Sequence, residues 1–374
     1  MRVDRLSFRQ FRNITEIDFT PGPVLNYFVG DNAQGKTSII EGIFHISTLR
    51  SFRTATTLDL IQRGHESAQL EAHVSSISGK TSQKNLKVRL SKGHRQLTLN
   101  EKQVSPSKFV GQVRTVVFSP ESLGAIKFGP DLRRELVDQA VYQISSEAPL
   151  AFTRFSKALR QRNACLKQIK MGLIVPNKGR GILESLDAGF LQAATEITFL
   201  RLRFLDTILP HAQETLSLIM GEKCSLEFAY ESHDEPWKER NLEAIHQRLK
   251  DEILDSSRRI SEEALGVTLT GPHRHDLSFL FNGNDSRIFC SQGQQRALIL
   301  SFKIAEIVYH GKAFESYPLL LLDDVLSEFD EKKRRFLVDF LRAHNAQTFL
   351  TTTDHTQVLQ GCSVFHVEAG RLKT

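Results

Sequence analysis

The sequence has few cysteines, one tryptophan and no long apolar run. Its four cysteines, at positions 165, 224, 290 and 362, are too far apart for a paired metal-ligand spacing or a disulfide framework. The longest apolar runs, such as Leu319 to Leu322, fall far short of the roughly 18 residues that cross a bilayer. No apolar signal segment follows the charged N-terminus. These absences argue against a secreted or membrane protein and predict a cytoplasmic protein with reduced thiols.

The chain is long enough for more than one domain, and its basic residues are concentrated in two segments. At about 150 residues per domain, its 374 residues predict two or three folding units. Lysine and arginine number 49 against 43 acidic residues, a net charge of +6. Residues 80–114 hold nine basic residues and one acidic, and residues 151–210 hold ten basic and four acidic. These segments indicate either a basic surface for a polyanion or ordinary solvated faces, and charge alone does not decide between them.

Periodicity divides the chain into a strand-rich first third, a helical middle and an α/β last third. Helical spacing from residue 131 to about residue 170 is predicted to break near Pro176 to Gly181, and Pro210 is predicted to interrupt the next helix. Asn282-Gly283 between apolar alternations predicts a hairpin. We expect residues 1–130 and 266–374 to form one domain, with a mainly helical subdomain, residues 131–265, inserted in it.

A phosphate-binding motif, G-x-x-x-x-G-K-[ST], follows a predicted strand and opens a predicted helix. Glycines let the backbone wrap around phosphates, and the loop N–H groups and helix N-terminus supply positive charge. Lys36 can reach the β- and γ-phosphates of a nucleotide, and the Thr37 hydroxyl can ligate Mg²⁺. The predicted nucleotide-binding residues are Gly30, Asp31, Asn32, Ala33, Gln34, Gly35, Lys36, Thr37 and Ser38.

An acidic pair ends a second predicted strand, Leu319 to Leu322. Asp323 is the candidate to hold Mg²⁺ through water, and Asp324 is the candidate to polarise an attacking water. Lys36, Asp323 and Asp324 are therefore the predicted catalytic residues. About 280 residues separate the two motifs, enough for an inserted subdomain, whereas small kinases and GTPases usually place them closer together.

A third segment, Ser291-Gln292-Gly293-Gln294-Gln295-Arg296, precedes a predicted helix. Alone it fits a helix cap. Beside the other motifs it resembles the signature of ABC-type ATPases, and Ser327 to Asp330 resembles their D-loop. The order of motifs is similar to that in the DNA-repair and SMC branch of the class, which implies an ABC-type ATPase head of mixed α/β fold with antiparallel strands.

Further segments narrow the resemblance to the RecF family of bacterial recombination mediators. The matching motifs extend over nearly the whole chain. They are Phe11-Arg12-Asn13, the phosphate motif, Ser119-Pro120-Glu121 to Arg133-Arg134, Gly271-Pro272-His273-Arg274, the signature and Leu321 to Val325.

The resemblance implies that ATP binds between two copies of the chain. Ser291, Gly293 and Gln294 of one copy would contact the nucleotide held by Lys36 of the other, with Arg12 and Asn13 as further nucleotide contacts. The implied function is an ATP-dependent homodimer at gapped DNA, holding double-stranded next to single-stranded DNA, which helps RecA load together with RecR and RecO. The predicted DNA contacts lie in the basic segments, at Lys84, Lys87, Arg89, Arg160 and Arg162.

Two departures from the family pattern bear on hydrolysis. Ala33 stands where a glycine is usual, and Thr353 stands where many ABC ATPases have a histidine that contacts the γ-phosphate. The sequence therefore predicts a weak, DNA-stimulated ATPase that acts as a slow switch. The alternatives are the nucleotide-binding subunit of another ABC-type ATPase and a P-loop phosphotransferase. The basic segments and the long helical insert argue against the first, and the signature argues against the second.

Overall fold

Two compact units make up the fold, each assembled from separate stretches of sequence. The computed structural model describes residues 1–53, 56–75, 83–145, 147–232, 235–354, 358 and 361–373. Residues 1–124, 211–224 and 290–374 form the first unit, and residues 125–210 and 225–289 form the second. Residues 211–224, expected in the helical insert, belong to the first unit, and residues 266–289, expected in the C-terminal part of the head, belong to the second.

The described strands and helices follow in chain order. The strands are β1 Arg2–Phe11, β2 Ile14–Phe19, β3 Leu25–Val29, β4 Ser67–Ser75, β5 Gln83–Ser91, β6 His94–Leu99, β7 Lys102–Gln103, β8 Thr115–Phe118, β9 Leu226–Ser232, β10 Glu235–Pro236, β11 Asp276–Phe281, β12 Asn284–Asp285, β13 Leu319–Asp323, β14 Thr348–Thr352, β15 Ser363–Glu368 and β16 Arg371–Lys373. The α-helices are α1 Lys36–Thr48, α2 Pro106–Phe109, α3 Pro120–Leu123, α4 Pro130–Ile144, α5 Ala148–Lys170, α6 Pro176–Met220, α7 Leu242–Leu254, α8 Ser256–Leu265, α9 Ser286–Phe289, α10 Gln292–Phe314 and α11 Glu331–His344.

A mostly parallel sheet in the first unit carries the nucleotide motifs. Its strand order is β16-β15-β3-β14-β13-β8, and only the β15–β16 pair is antiparallel among its described strands. Every residue of β3, β13 and β14 is buried, as expected for parallel strands covered on both faces. Because Val29 pairs with Thr352 and Asp323 pairs with Thr351, the carboxyl ends of these strands meet at one edge of the sheet. This edge is where α/β folds usually bind ligands.

The other sheet of the first unit is antiparallel, in the order β2-β1-β4-β5-β6-β7. Its strands alternate between buried apolar and exposed polar positions, so that Leu86, Val88 and Leu90 of β5 are buried while Arg89 is exposed. The predicted alternation in this part of the chain is confirmed.

The second unit is mainly helical and also contains a four-stranded antiparallel sheet, β10-β9-β11-β12. The predicted hairpin is confirmed, since Asn282 and Gly283 connect β11 to β12 with positive φ angles of 48° and 76°. No helix in the described parts of the chain has the length and apolar character to cross a membrane.

Two predictions about helix α6 are wrong. The chain breaks before Pro176 rather than between Pro176 and Gly181, because proline is well tolerated in the first turn of a helix, where its missing N–H has no partner to lose. Pro210 lies inside α6 without ending it. Buried Ile208, Ala212 and Leu216 continue the apolar stripe of the helix across that position, so packing compensates for the lost hydrogen bond.

Candidate functional site

The phosphate loop connects β3 to α1 in the predicted strand–loop–helix arrangement. Gly35 has a φ of +114°, which suits a residue without a side chain, and a Cβ at Gly30 would lie 2.3 Å from the Val367 carbonyl oxygen. Ala33 has a φ of +64°, so this alanine takes the left-handed conformation that explains why glycine is usual there. The loop is therefore held tightly, and its backbone lies close to its neighbours.

Lys36, the first residue of α1, is buried, and its side chain reaches back over this loop. Its Nζ donates hydrogen bonds to the carbonyl oxygens of Gly30, at 2.6 Å, and Asp31, at 2.7 Å. Burial lowers the pKa of the ammonium, while nearby Asp324, Asp323 and Asp31 act in the opposite direction. A cation partly stripped of water interacts strongly with an anion, so Lys36 is placed to bind a phosphate oxygen.

Asp323 lies between two threonine hydroxyls. Thr37 Oγ1 and Thr351 Oγ1 each donate to Asp323 Oδ1 at 2.9 Å. Burial raises the pKa of the Asp323 carboxyl, and the bonds from Thr351 and Thr37 partly oppose that rise. A carboxylate beside a hydroxyl provides the hard oxygen ligands that Mg²⁺ prefers.

Asp324 follows at the end of β13 with a φ of +53°, and its backbone N–H donates to Thr351 Oγ1 at 2.8 Å. Burial raises the pKa of its carboxyl, with Lys36 opposing the rise. The structure thus brings the three predicted catalytic residues together at one edge of the parallel sheet.

Arg12 and Asn13, in the turn between β1 and β2, contact the loop and the start of α1. Asn13 Nδ2 donates to the Ala33 carbonyl oxygen at 3.1 Å, and Ser38 Oγ donates to Asn13 Oδ1 at 2.7 Å. The Arg12 guanidinium forms a two-point ion pair with the fully buried Glu41 of α1, at 2.9 and 2.6 Å. The turn is therefore fixed to both the loop and the helix that follows it.

The turn between β15 and β16 lies next to the Arg12–Asn13 turn and also contacts the loop. The backbone N–H of Ala369 donates to Gln34 Oε1 at 2.7 Å, and the N–H of Gly370 donates to the Gln34 carbonyl oxygen at 2.8 Å. The last residues of the described chain thus contact the phosphate motif directly.

Lys36, Thr37, Asp323, Asp324 and Thr351 line a cavity of about 1010 Å³ together with Arg12 and Asn13. Its other walls come from the region between α1 and β4, including Leu58, of which about half is exposed. A buried lysine, a hydroxyl–carboxylate pair and a glycine loop at a helix N-terminus suit a nucleoside triphosphate with Mg²⁺. The lining residues are Arg12, Asn13, Asn32, Ala33, Gly35, Lys36, Thr37, Ser38, Arg53, Leu58, Asp59, Ile61, Gln62, Arg63, Asp323, Asp324 and Thr351.

The signature segment does not line this cavity. Ser291 caps α10 and forms a capping box with Gln294: Ser291 Oγ accepts from the Gln294 N–H at 3.3 Å, and the Ser291 N–H is bonded to the Gln294 side chain at 2.8 Å. Gly293 is unobstructed, since a Cβ there would meet nothing nearer than 3.9 Å among the described residues. Arg296 ties α10 to the D-loop by an ion pair with Glu328. The segment is therefore a capped helix N-terminus outside the cavity of its own chain.

Comparison with known proteins decides the family. Residues 2–373 match the family described as RecF/RecN/SMC N terminal domain. The DNA replication and repair protein RecF of Lactobacillus acidophilus is 34% identical over 380 residues, which cover 100% of this chain and 98% of that protein. The RecF of Halalkalibacterium halodurans is 35% identical over 379 residues, covering 100% and 99%. The chain belongs to the RecF family.

Solved structures agree with this assignment. The recombination mediator protein RecF of the RecFOR pathway, solved as RecF-ATPrS, superposes with a TM-score of 0.88 at 27% identity, covering 100% of this chain and 97% of that one. A Pyrococcus furiosus Smc head domain superposes with a TM-score of 0.55 at 14% identity, covering 99% and 95%. The predicted fold is confirmed: this RecF-family chain has the ABC-type ATPase head shared with SMC proteins.

The RecF-family chain presents its predicted DNA contacts unevenly. Arg89 and, in part, Lys87 point outward from β5, where Lys87 pairs with Glu71 at 3.6 Å. Lys84 lies on the inward-facing side of β5 and donates to Gln112 Oε1 at 2.8 Å. Arg160 of α5 is exposed. Residues 80–82 of the basic segment lie outside the described residues.

The predicted DNA contact of Arg162 is wrong. Its side chain is fully buried in the second unit, where it donates to Asp187 at 2.9 Å, Glu262 at 2.7 Å and Thr268 at 3.0 Å. Helical periodicity explains the difference, because Arg160 and Arg162 are two residues apart and lie on different faces of α5. A buried arginine in an ion-pair network cannot reach a DNA phosphate.

Sequence reasoning missed several residues of this RecF-family site. Thr351 could have been found, because it sits in a predicted buried strand whose end must lie near that of β13. Glu41, the partner of Arg12, and the Ala369–Gly370 turn gave no signal in the sequence. Their roles depend on contacts between segments that are distant along the chain.

Proposed function

We propose that this chain is an ATP-gated, DNA-binding protein of recombinational repair that dimerises when it binds ATP and Mg²⁺. Its family is one of DNA replication and repair proteins and belongs to the RecF and SMC class of ATPases. The RecF structures with ATP and ATPrS support the choice of nucleotide.

One observation carries the dimer proposal. Lys36, Thr37 and Asp323 line the cavity, whereas Ser291, Gly293 and Gln294 form a helix N-terminus that does not line it and that has the partial positive charge to attract an anion. Two copies facing each other would place the signature of one against the phosphates held by the other. ATP that contacts both copies then favours the dimer by its differential affinity for it.

The chemistry follows from the positions of the side chains. Lys36 would neutralise phosphate charge, and Thr37 with Asp323 would hold Mg²⁺, which supplies Lewis-acid stabilisation when bound. Asp324, with its raised pKa and its position beside Lys36, would orient and polarise the attacking water. Thr353 is exposed and stands where many ABC ATPases have the histidine that contacts the γ-phosphate, which fits slow ATP hydrolysis that serves as a switch.

A mixing experiment tests the shared site. Lys36→Ala removes the phosphate contact, and Gly293→Asp places a negative charge where the partner's phosphates would bind. Gly293→Asp has room for its Cβ, and an acidic residue is favourable near a helix N-terminus, so the variant should fold.

Light scattering with a non-hydrolysable ATP analogue should show the wild type at twice the 42.4 kDa of the monomer. Each variant alone should stay monomeric. The mixture of the two should dimerise, because one of its two sites keeps an intact loop and an intact signature. A mixture that stays monomeric while the wild type dimerises would contradict the shared-site arrangement.

DNA is the proposed macromolecular partner, in gapped form with double- and single-stranded parts. Helix α5 has no acidic residue in its 23 positions, and its exposed face carries Arg154, Lys157, Arg160 and Lys167.

Replacing Lys157 and Arg160 by neutral residues tests the α5 surface. The slope of log affinity against log salt concentration should become shallower by about 0.9 for each DNA phosphate contact that the variant loses. Lys87→Gln with Arg89→Gln tests the β5 surface in the same way, and a slope unchanged in both pairs would exclude both surfaces. We also propose RecR as a protein partner, with RecO and RecA acting in the same pathway.

A further inference from the structure

Two tight turns that lie next to each other contact the phosphate loop. The first is the Arg12–Asn13 turn. The second is Ala369–Gly370, whose backbone N–H groups both donate to Gln34, one to the side chain and one to the carbonyl oxygen. The second turn lies far from the phosphate loop in sequence, and it contacts the middle of that loop, at Gln34, outside the cavity.

Gly370 of the second turn packs closely against the first turn, and β15 packs closely against the loop. A Cβ at Gly370 would lie 2.1 Å from the Asn13 carbonyl oxygen, and a Cβ at Gly30 would lie 2.3 Å from the Val367 carbonyl oxygen. The end of the chain therefore touches the loop at its first glycine, through β15, and at its middle, through the turn.

We propose that the Ala369–Gly370 turn positions the phosphate loop for nucleotide binding, and that Gln34 is the positioning residue through which it acts. The loop contains Ala33 in a left-handed conformation, which an isolated loop would leave. Hydrogen bonds from outside the loop raise the fraction of molecules whose loop is competent to bind, and the apparent affinity scales with that fraction. The inference rests on the proposed binding of ATP.

Linkage makes the effect reciprocal. If the turn favours the binding-competent loop, then bound nucleotide must stabilise the turn by the same factor. The Ala369 and Gly370 amides should therefore exchange with solvent more slowly when ATP is added.

Two glycines provide a matched pair of variants. Gly370 and Gly361 have similar φ angles, 71° and 77°, so alanine is equally strained at both. A Cβ at Gly361, however, meets nothing within 4 Å among the described residues. Gly370→Ala should bind ATP at least about tenfold more weakly than Gly361→Ala in equilibrium titration of the full chain, because it displaces the turn. Equal affinities in the two variants would overturn the positioning role.

A second pair keeps the test informative if Gly370→Ala does not fold. Gln34→Ala removes the side-chain acceptor for the Ala369 N–H, and Gln34→Glu retains a carboxylate oxygen that can accept it. Hydrogen exchange of the nucleotide-free protein should show a faster Ala369 amide in Gln34→Ala, with wild-type protection in Gln34→Glu. Equal exchange in all three proteins would overturn the role of Gln34. Absence of ATP binding by the wild type would instead refute the proposed function, and the exchange rates would still show separately whether Gln34 holds the turn.

Discussion

Thr351→Val isolates one hydroxyl that connects the two acidic residues of the site. Thr351 is buried at the end of β14, donates to Asp323 Oδ1 at 2.9 Å and accepts from the Asp324 N–H at 2.8 Å. Valine has nearly the same shape, so the variant removes both hydrogen bonds and little else. The ionised Asp323 carboxylate loses one of its two hydroxyl donors, and its pKa should rise further above its ordinary value.

The size of the effect follows from the type of bond. A hydrogen bond to a charged group contributes about 1.5–3 kcal/mol, and each 1.4 kcal/mol is about tenfold in affinity. If ionised Asp323 holds Mg²⁺, the variant should bind Mg²⁺–ATP roughly 10- to 100-fold more weakly. Its affinity should also fall at a higher pH than that of the wild type as the solution is acidified. Titration with a fluorescent ATP analogue at several pH values, with and without Mg²⁺, measures both effects.

Thr348→Val is the matched control. Thr348 is fully buried on the same strand, but its hydroxyl donates to the Ala346 carbonyl oxygen at 2.9 Å. If both variants bound Mg²⁺–ATP equally well over the whole pH series, the role of Thr351 in tuning Asp323 would be refuted.

Three further predictions concern stability. Arg162→Met should lower the free energy of unfolding, measured in urea, by about 3–5 kcal/mol, because it leaves buried carboxylates without their cationic partner. Arg160→Met, at an exposed position of the same helix, should change the free energy of unfolding little. Similar losses in the two variants would contradict the assignment of Arg162 as a buried ion-pair partner. Ala33→Gly should relieve the strain of a left-handed alanine and stabilise the nucleotide-free protein by about 0.5–1 kcal/mol, which is measured as a higher melting temperature. A lower melting temperature would refute this. His310 is fully buried, and neither ring nitrogen has a hydrogen-bond partner among the described residues. Burial lowers its pKa to about 3, so the folded protein keeps it neutral while the unfolded chain takes up a proton below about pH 6.5. The free energy of unfolding should therefore fall by about 1.4 kcal/mol for each pH unit below that value because of this residue alone. His310→Leu should make the free energy of unfolding less dependent on pH, which denaturant titrations at neutral and acidic pH can measure.

The sequence was sufficient for the parts of the site that are local in the chain. A phosphate loop is defined by a strand, a glycine turn and a helix in one continuous segment, so Lys36 and Thr37 could be assigned from spacing alone. Asp323 could be assigned because a buried parallel strand ends there and the carboxyl ends of such strands meet at one edge.

The rest depended on tertiary contacts or on side-chain direction. Periodicity over α5 did not separate the exposed Arg160 from the buried Arg162, since both are basic and only packing shows which face is covered. Proline signals misplaced the start of α6 and the effect of Pro210, because packing overrides local propensity in a long helix. The contacts of Gln34 with the end of the chain join residues 335 positions apart, and no local pattern records them.

The position of β3 has a consequence for synthesis. This strand, complete by residue 29, has β14 and β15 as its neighbours in the described sheet, and those strands end at residues 352 and 368. At a synthesis rate of roughly 5–20 residues per second, β3 waits on the order of tens of seconds for its neighbours to emerge from the ribosome. The parallel sheet therefore cannot close before residues 348–368 have been made, and Tyr27, Phe28 and Val29 lack their native neighbours until then. A chain that stops between residues 331 and 347 would carry the phosphate loop, the signature, the acidic pair and the D-loop, yet would lack both β14 and β15, the two neighbours of β3.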